Sequence, residues 1–304
     1  MTRLQITEVA LRDGLQNQAV HVPTQAKIAF LQKLVASGIR SVEATSFVSP
    51  KAVPQLADAA EVLQAASLIA GLRVSVLVPN LKGLERALAA GAREIAVVLS
   101  ATDTMNRKNI NMSLLEATRA SEETIIAAKQ AGLKTRAYVA VAFECPFEGV
   151  VDLTTVVQLS ERMAMAGAEE IVIADTIGAA APRHVKERIA ALKSSVPIDR
   201  LALHLHDTRG LGTANAWAGM EAGVRRFDSS AGGLGGCPFA PGAAGNLATE
   251  DLVLMANQCG FDTGIDVALL DDAIVYMADQ LGLQLGGRSM HWFRAKRIKS
   301  ARLD

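Results

Sequence analysis

The chain has 304 residues, half of them hydrophobic and a fifth charged, with 31 basic and 31 acidic side chains and a formal net charge of zero. That balance excludes a global attraction to nucleic acid or to an anionic membrane surface, so an anionic substrate has to be met by a local cluster of cations. No apolar run approaches the roughly 20 residues of a membrane span, no secretory or transit segment opens the chain, and the three cysteines (Cys145, Cys237, Cys259) share no metal-site spacing, which together lead us to expect a cytoplasmic protein without disulfides.

Short apolar runs alternate with longer segments of helical period. Strands are expected at 6–10, 41–45, 74–79, 95–100, 135–143, 170–175, 201–206 and 226–230. Helices are expected over 24–37 and from near Pro54, Asn80, Ser113, Leu153, Pro182 and Gly212. Thr24 and Ser113 have the hydroxyls to cap helix N-termini. Gly38, Gly91, Gly132 and Gly167 each stand where a helix should close in a left-handed turn. Most of the strands are continuous apolar runs, as in sheets buried on both faces. Eight strand–helix units predict an α/β fold, a (β/α)8 TIM barrel, rather than a doubly wound sheet, and no GxGxxG or GxxxxGK[ST] segment argues otherwise. One catalytic domain over 1–304 is expected, with a C-terminal helical extension at about 247–304.

In such a barrel, chemistry sits where the strands end. His204 and His206 close the seventh strand, and residues two apart on a strand point the same way, so one cation can meet both. Arg12, Asp13 and Gln16 follow the first strand. Glu43 is a charge inside an apolar strand and needs a buried partner, for which Arg12 on the neighbouring strand is the obvious candidate. Asp175 suits either a substrate contact or a cap on the next helix. Lys51 after strand two and Asn109 after strand four suit either an anionic substrate or plain solvation. A glycine-rich segment, 232–246, carries Cys237 over the same face and reads as a phosphate cradle or a mobile lid. Cys145 is a weaker thiol candidate, Cys259 a structural one, and His21, His184 and His291 are surface or structural histidines.

Five segments carry a likeness: Leu11-Arg12-Asp13-Gly14-Leu15-Gln16-Asn17, Glu43-Ala44-Thr45-Ser46-Phe47-Val48-Ser49-Pro50-Lys51, Asp175-Thr176-Ile177-Gly178, His204-Leu205-His206-Asp207-Thr208-Arg209-Gly210, and Gly233-Leu234-Gly235-Gly236-Cys237-Pro238-Phe239-Ala240-Pro241-Gly242. In that order they resemble the 3-hydroxy-3-methylglutaryl-CoA lyase family, metal-dependent TIM-barrel lyases named for an Asp-Arg-Glu signature. The resemblance implies an acyl-CoA thioester substrate, cleaved to acetyl-CoA and acetoacetate. It implies a divalent-metal site of Asp13, His204, His206 and Asn246, holding Mg²⁺ or, second, Mn²⁺, with about two coordination positions left for substrate. Arg12 would polarise the thioester carbonyl, Glu43 would hold Arg12, Asp13 or His204 would act as base, and Cys237 would be a catalytic thiol. Gln16, Ser46, Lys51, Asn109 and Asp175 are expected to contact the substrate, and Arg12→Gln is expected to lower turnover with little loss of folding stability. The alternative is a related lyase or aldolase acting on a different 3-hydroxyacyl-CoA. A homodimer and a setting in leucine degradation or ketone-body formation accompany the resemblance.

Overall fold

The computed structural model describes residues 2–236 and 245–300. Eight parallel strands close on themselves: β1 (Gln5–Glu8), β2 (Ser41–Ser46), β3 (Arg73–Leu77), β4 (Glu94–Ser100), β5 (Lys134–Ala140), β6 (Glu170–Asp175), β7 (Leu201–Leu205) and β8 (Arg226–Ser229). Each strand pairs with the next in sequence, and β8 pairs with β1 to complete the barrel. The crossovers run through α1 (Thr24–Ala36), α2 (Ala59–Ser67), α3 (Leu81–Ala89), α4 (Asp103–Ile110), α5 (Leu114–Gln130), α6 (Leu153–Ala166), α7 (Pro182–Leu192) and α8 (Gly212–Glu221). After β8 come α9 (Thr249–Gln258), α10 (Val267–Leu281), which packs between α1 and α9, and α11 (Met290–Ser300). No helix among the described residues is long and apolar enough to cross a membrane.

The main core lies between barrel and helices. Ile171 and Ile173 of β6 and Leu201, Leu203 and Leu205 of β7 are buried in it against Val185, Ile189 and Leu192 of α7. Burying a side chain of this kind stabilises by about 1.5–3 kcal/mol. The expected left-handed glycines close their helices as read, with φ of 105° at Gly38, 87° at Gly91, 79° at Gly132 and 117° at Gly167. Gly38 is also needed sterically, since a Cβ there would stand 2.1 Å from the Gly264 carbonyl oxygen. Ser113 forms a full capping box with Glu116. Thr24 does not cap: Pro23 precedes the first turn, and the Thr24 hydroxyl donates to Asp58 at 2.9 Å instead.

Several strands end earlier than periodicity suggests, and two of these endings shape the barrel mouth. β1 stops at Glu8, and Ala10–Gly14 winds into a π-helical turn whose Arg12, Asp13 and Gly14 amides converge on the Val9 carbonyl. Such turns are rare and concentrate at functional sites. β5 stops at Ala140 because Val141 adopts φ 48°, a left-handed conformation that its amide, donating to the Thr176 hydroxyl at 2.8 Å, helps to hold.

Inside the barrel lies a small apolar cluster (Leu77, Ala96, Tyr138, Val172, Ala202). Around it runs a network of buried charge. Arg136 of β5 donates to Glu170 of β6 and to Asp228 of β8, both at 2.6 Å. The Tyr138 hydroxyl, one pleat higher, stands between two carboxylates, 2.6 Å from Asp228 and 3.0 Å from Glu43, and its one proton serves one of them at a time. At the strand starts, Glu170 also accepts from Arg226 at 2.8 Å and from Arg73 at 3.2 Å. A ladder of buried charge therefore runs from the barrel floor towards the mouth. Each rung requires the next, because a buried charge left without a partner costs about 3–5 kcal/mol.

Two further carboxylates tie the mouth loops together. Glu8, fully buried, accepts from the Ala10 amide at 2.9 Å, the Ala231 amide at 2.9 Å and the Thr249 hydroxyl at 2.7 Å. Glu250 accepts from the Gly232 amide at 3.0 Å and the Gly287 amide at 2.6 Å. Burial, partly offset by these bonds, pushes both carboxyls up from 4.5 to about 7. Between those values the folded chain holds more protons than the unfolded chain, so these groups make stability fall as pH rises from about 4.5 to about 7. Denaturant unfolding across that window should show the fall, and Glu8→Gln should flatten it; parallel wild-type and variant profiles would show that Glu8 does not titrate there.

Candidate active site

The strand-seven histidines meet at the mouth. His204 lies within β7 and His206 just beyond it, where residue 206 bridges to Asn246 on the returning chain. Their Nε2 atoms face each other at 3.2 Å. The π-helical turn after β1 brings Asp13 alongside, with Oδ2 3.9 Å from the His204 Nε2. Ligand atoms of Asp13, His204 and His206 all lie within 4.8 Å of one another, and among the described residues no other group of three His, Cys, Asp or Glu side chains is so placed. Asn246 joins them, donating from Nδ2 to Asp13 Oδ2 at 2.8 Å and to the Leu234 carbonyl at 3.2 Å. Gly235 has to be a glycine for this, since a Cβ there would stand 2.4 Å from that Nδ2.

This donor set fits a divalent cation. Asn246 Oδ1 and His206 Nδ1 are buried without hydrogen-bond partners, a costly state for polar atoms that need no external ligand. Burial first, and the neighbouring His204 second, push the His206 imidazole down to about 4, so it is neutral at pH 7 with a lone pair to offer. Burial pushes Asp13 up, but Arg12 and the two histidines outweigh it and bring the carboxyl down to about 2, leaving it ionised. His204 Nδ1 rests against Asp228 Oδ2 at 3.4 Å. A carboxylate behind an imidazole in this way fixes its orientation for a cation on the other nitrogen.

Beside this cluster stands Arg12. Its Nε donates to Glu43 and its Nη1 to Asp13, so strands one and two do pair the two buried charges. Nη2 is left without a partner among the described residues, and Arg12 lines the cavity. The arginine is only 6% exposed. The expectation that it is replaceable with little loss of stability is therefore corrected: its removal would leave Glu43, which is fully buried, with Tyr138 as its remaining partner among the described residues.

The cavity at the mouth holds about 380 Å³ and is lined by Arg12, Asp13, Gln16, Asn109, His204 and His206, with Tyr138 and Val98 below. Three of the five expected substrate contacts lie outside its lining. Asp175 is buried beneath it, with both oxygens taken by the Ala179 and Ala180 amides at 2.8 and 3.0 Å, so it braces the loop before α7. Burial raises its carboxyl to about 6. The Ser46 hydroxyl donates to the Leu77 carbonyl at 3.4 Å and accepts from the Val48 amide at 3.2 Å. Lys51 is exposed on the loop after β2. Cys237 lies outside the described residues. Cys145 is buried against the Thr102 hydroxyl at 3.1 Å, and Cys259 is exposed at the end of α9. Sequence reasoning missed Tyr138, Arg136 and Asp228. Arg136 and Asp228 carry the signal that exposed Glu43, a charge inside a strand.

Residues 3–274 match the HMGL-like family model. The mitochondrial hydroxymethylglutaryl-CoA lyase of Gallus gallus is 43% identical, over 92% of this chain and 94% of its own. The crystal structure of the Bacillus subtilis HMG-CoA lyase is 41% identical and superposes with a TM-score of 0.93, covering 97% of this chain and 99% of that one. An HMG-CoA lyase from Acinetobacter baumannii, solved in complex with coenzyme A and 3-methylmalate, is 40% identical with a TM-score of 0.90 over 95% of this chain and 94% of that one. A barrel that matches these over almost its whole length, with a three-residue ligand cluster at the end where barrel enzymes work, leaves one conclusion: this chain belongs to the HMGL-like family.

Proposed function

We propose that the chain is a carbon–carbon lyase that cleaves 3-hydroxy-3-methylglutaryl-CoA to acetyl-CoA and acetoacetate. The observation that carries this is the convergence of Asp13, His204 and His206 in one cavity at the barrel mouth, with Asn246 bonded to Asp13 and a buried arginine beside them whose Nη2 has no partner among the described residues. The reaction is a retro-Claisen cleavage. The tertiary hydroxyl loses its proton and becomes the ketone carbonyl of acetoacetate. The adjacent carbon–carbon bond breaks, and its electron pair becomes the enolate of the acetyl thioester. A proton on the enolate carbon then completes acetyl-CoA.

The chain supplies what each charge requires. Asp13, His204, His206 and Asn246 would hold the divalent ion, Mg²⁺ first and Mn²⁺ second. When bound, that ion supplies a Lewis acid that lowers the pKa of the substrate hydroxyl and orients the substrate. Arg12, clamped at Nε and Nη1 by Glu43 and Asp13, would direct Nη2 at the thioester oxygen and stabilise the enolate as it forms. Such a preset donor in a site shielded from water costs nothing to reorganise at the moment of reaction. Gln16 and Asn109 line the same cavity and would contact the acyl portion. Tyr138 and Asp228 would act through Glu43 and His204 as positioning residues. Cys237, by resemblance, would deliver the proton to the enolate carbon.

Incubation with 3-hydroxy-3-methylglutaryl-CoA should yield acetyl-CoA and acetoacetate in equal amounts, stop on addition of a chelator, and resume with Mg²⁺ or Mn²⁺. Unchanged product formation in chelator would remove the ion from the reaction, and no products with ion present would refute the assigned substrate. Arg12→Gln should lower turnover by at least about a hundredfold, the usual effect of losing one oxyanion donor, and should also lower the denaturant midpoint because Glu43 loses its counter-ion. Near-normal turnover in that variant would take Arg12 out of the mechanism.

A further inference from the structure

The end of the barrel opposite the active site carries a second cavity, of about 460 Å³. Its wall is built where the strands begin: Arg73, Lys134, Glu170 and Arg226 are the first residues of β3, β5, β6 and β8, and Arg3 and Arg40 complete the ring of cations. Five cationic side chains thus face two carboxylates, Glu169 and Glu170.

Those carboxylates do not neutralise the ring. Glu170 is already shared three ways, by Arg136 at 2.6 Å, Arg226 at 2.8 Å and Arg73 at 3.2 Å. Glu94, the first residue of β4, takes Arg73 at 2.6 Å and is only 5% exposed. With Glu94 included the ring is five cations against three carboxylates, an excess of two positive charges; Arg136 is left out because Asp228 balances it. Among the described residues Arg40 donates only to the Val35 and Ile39 carbonyls. Arg3 and Lys134 make no ion pair or hydrogen bond with any described residue. Asp262 lies opposite Arg3 in the short strand pair Thr2–Arg3 with Phe261–Asp262, but turns its carboxylate to the Gly264 amide at 2.9 Å. Like charges gathered in a concavity repel, and the repulsion is relieved by a counter-ion of matching valence. Guanidinium forks in such a ring match the oxygens of a phosphate group.

We propose that this floor pocket binds a small phosphate-bearing dianion or polyanion, at a site separate from the active site. The proposal does not depend on the reaction assigned to the mouth. Because Arg73, Arg226 and Glu170 form both the pocket wall and the lowest rungs of the buried ladder, an anion drawn to the two arginines would compete with Glu170 for them.

The test is calorimetric titration of the metal-loaded protein with fructose 1,6-bisphosphate and with inorganic phosphate, against sodium chloride at matched ionic strength. The double variant Arg3→Ala/Lys134→Ala is titrated in parallel, and Lys134→Gln is kept as a second variant should the first not fold. Expected are saturable binding of the bisphosphate at one per chain, weaker binding of phosphate, and at least a tenfold loss of bisphosphate affinity in the double variant. The melting temperature without anion should not fall, since neither side chain has a partner among the described residues to lose and removing both relieves the repulsion within the ring. The proposal is overturned if neither anion binds beyond the chloride control. It is equally overturned if the variants bind as the wild type does, which would place the anion elsewhere.

Discussion

The Asp228 carboxylate is the contact on which the mouth depends. One oxygen accepts from Arg136, and the other meets both the Tyr138 hydroxyl and the His204 imidazole. Tyr138 carries the arrangement on to Glu43, and Glu43 holds Arg12. Both halves of the proposed chemistry, the cation ligands and the enolate-stabilising guanidinium, are thus referenced to one buried group. Burial pushes the Asp228 carboxyl up, but Arg136, His204 and Tyr138 together outweigh it and keep it well below the usual carboxylate range. Only a closed barrel makes this possible, because the participants stand on β2, β5, β7 and β8 and on the turn after β1.

An interior of this kind is not the most stable way to fill a barrel. Replacing buried ion pairs by well-packed apolar side chains is often neutral or stabilising by about 1–4 kcal/mol. The apolar helix–barrel core supplies stability elsewhere, and the lumen is left to electrostatics. The side chains of Arg12 and His204 are each only 8% exposed. In so dry a site fixed charges act strongly and need no rearrangement to do so. Glu8 and Glu250 extend the same principle to the loops, fastening the turn of Arg12 and Asp13 and the start of the glycine-rich segment to α9 and to residue 287.

Much of this was legible in the residues. The barrel follows from eight apolar runs and their glycine-closed helices. The candidate site follows from the His204–His206 spacing, which a strand converts directly into a shared direction. Glu43 announced its partner because a charge in an apolar strand must have one. The same argument applied to Arg136, Glu170 and Asp228 would have exposed the ladder, although which of them pair depends on contacts made across the barrel between distant strands. The π-helical turn was hidden because residues 9–14 have no periodicity of their own; three amides converging on one carbonyl define it. Asn246 gave no local signal, since an amide in a glycine-rich segment has many roles, and only the bridge to residue 206 puts it in place. Asp175, Ser46 and Lys51 looked like substrate contacts because they sit at strand ends. The first two spend their polar atoms on neighbouring backbone, and the third extends into solvent.

The measurement that tests the account most directly is electron paramagnetic resonance of Mn²⁺ titrated into the protein, for the wild type and for His206→Ala and Asp13→Ala. The account predicts one bound Mn²⁺ per chain, displaced by Mg²⁺, with affinity reduced at least tenfold in each variant, as loss of a ligand or its support typically does. Mn²⁺ binding that neither substitution weakens would contradict it, and would leave the two imidazoles and the carboxylate at the barrel mouth without the ion they are proposed to share.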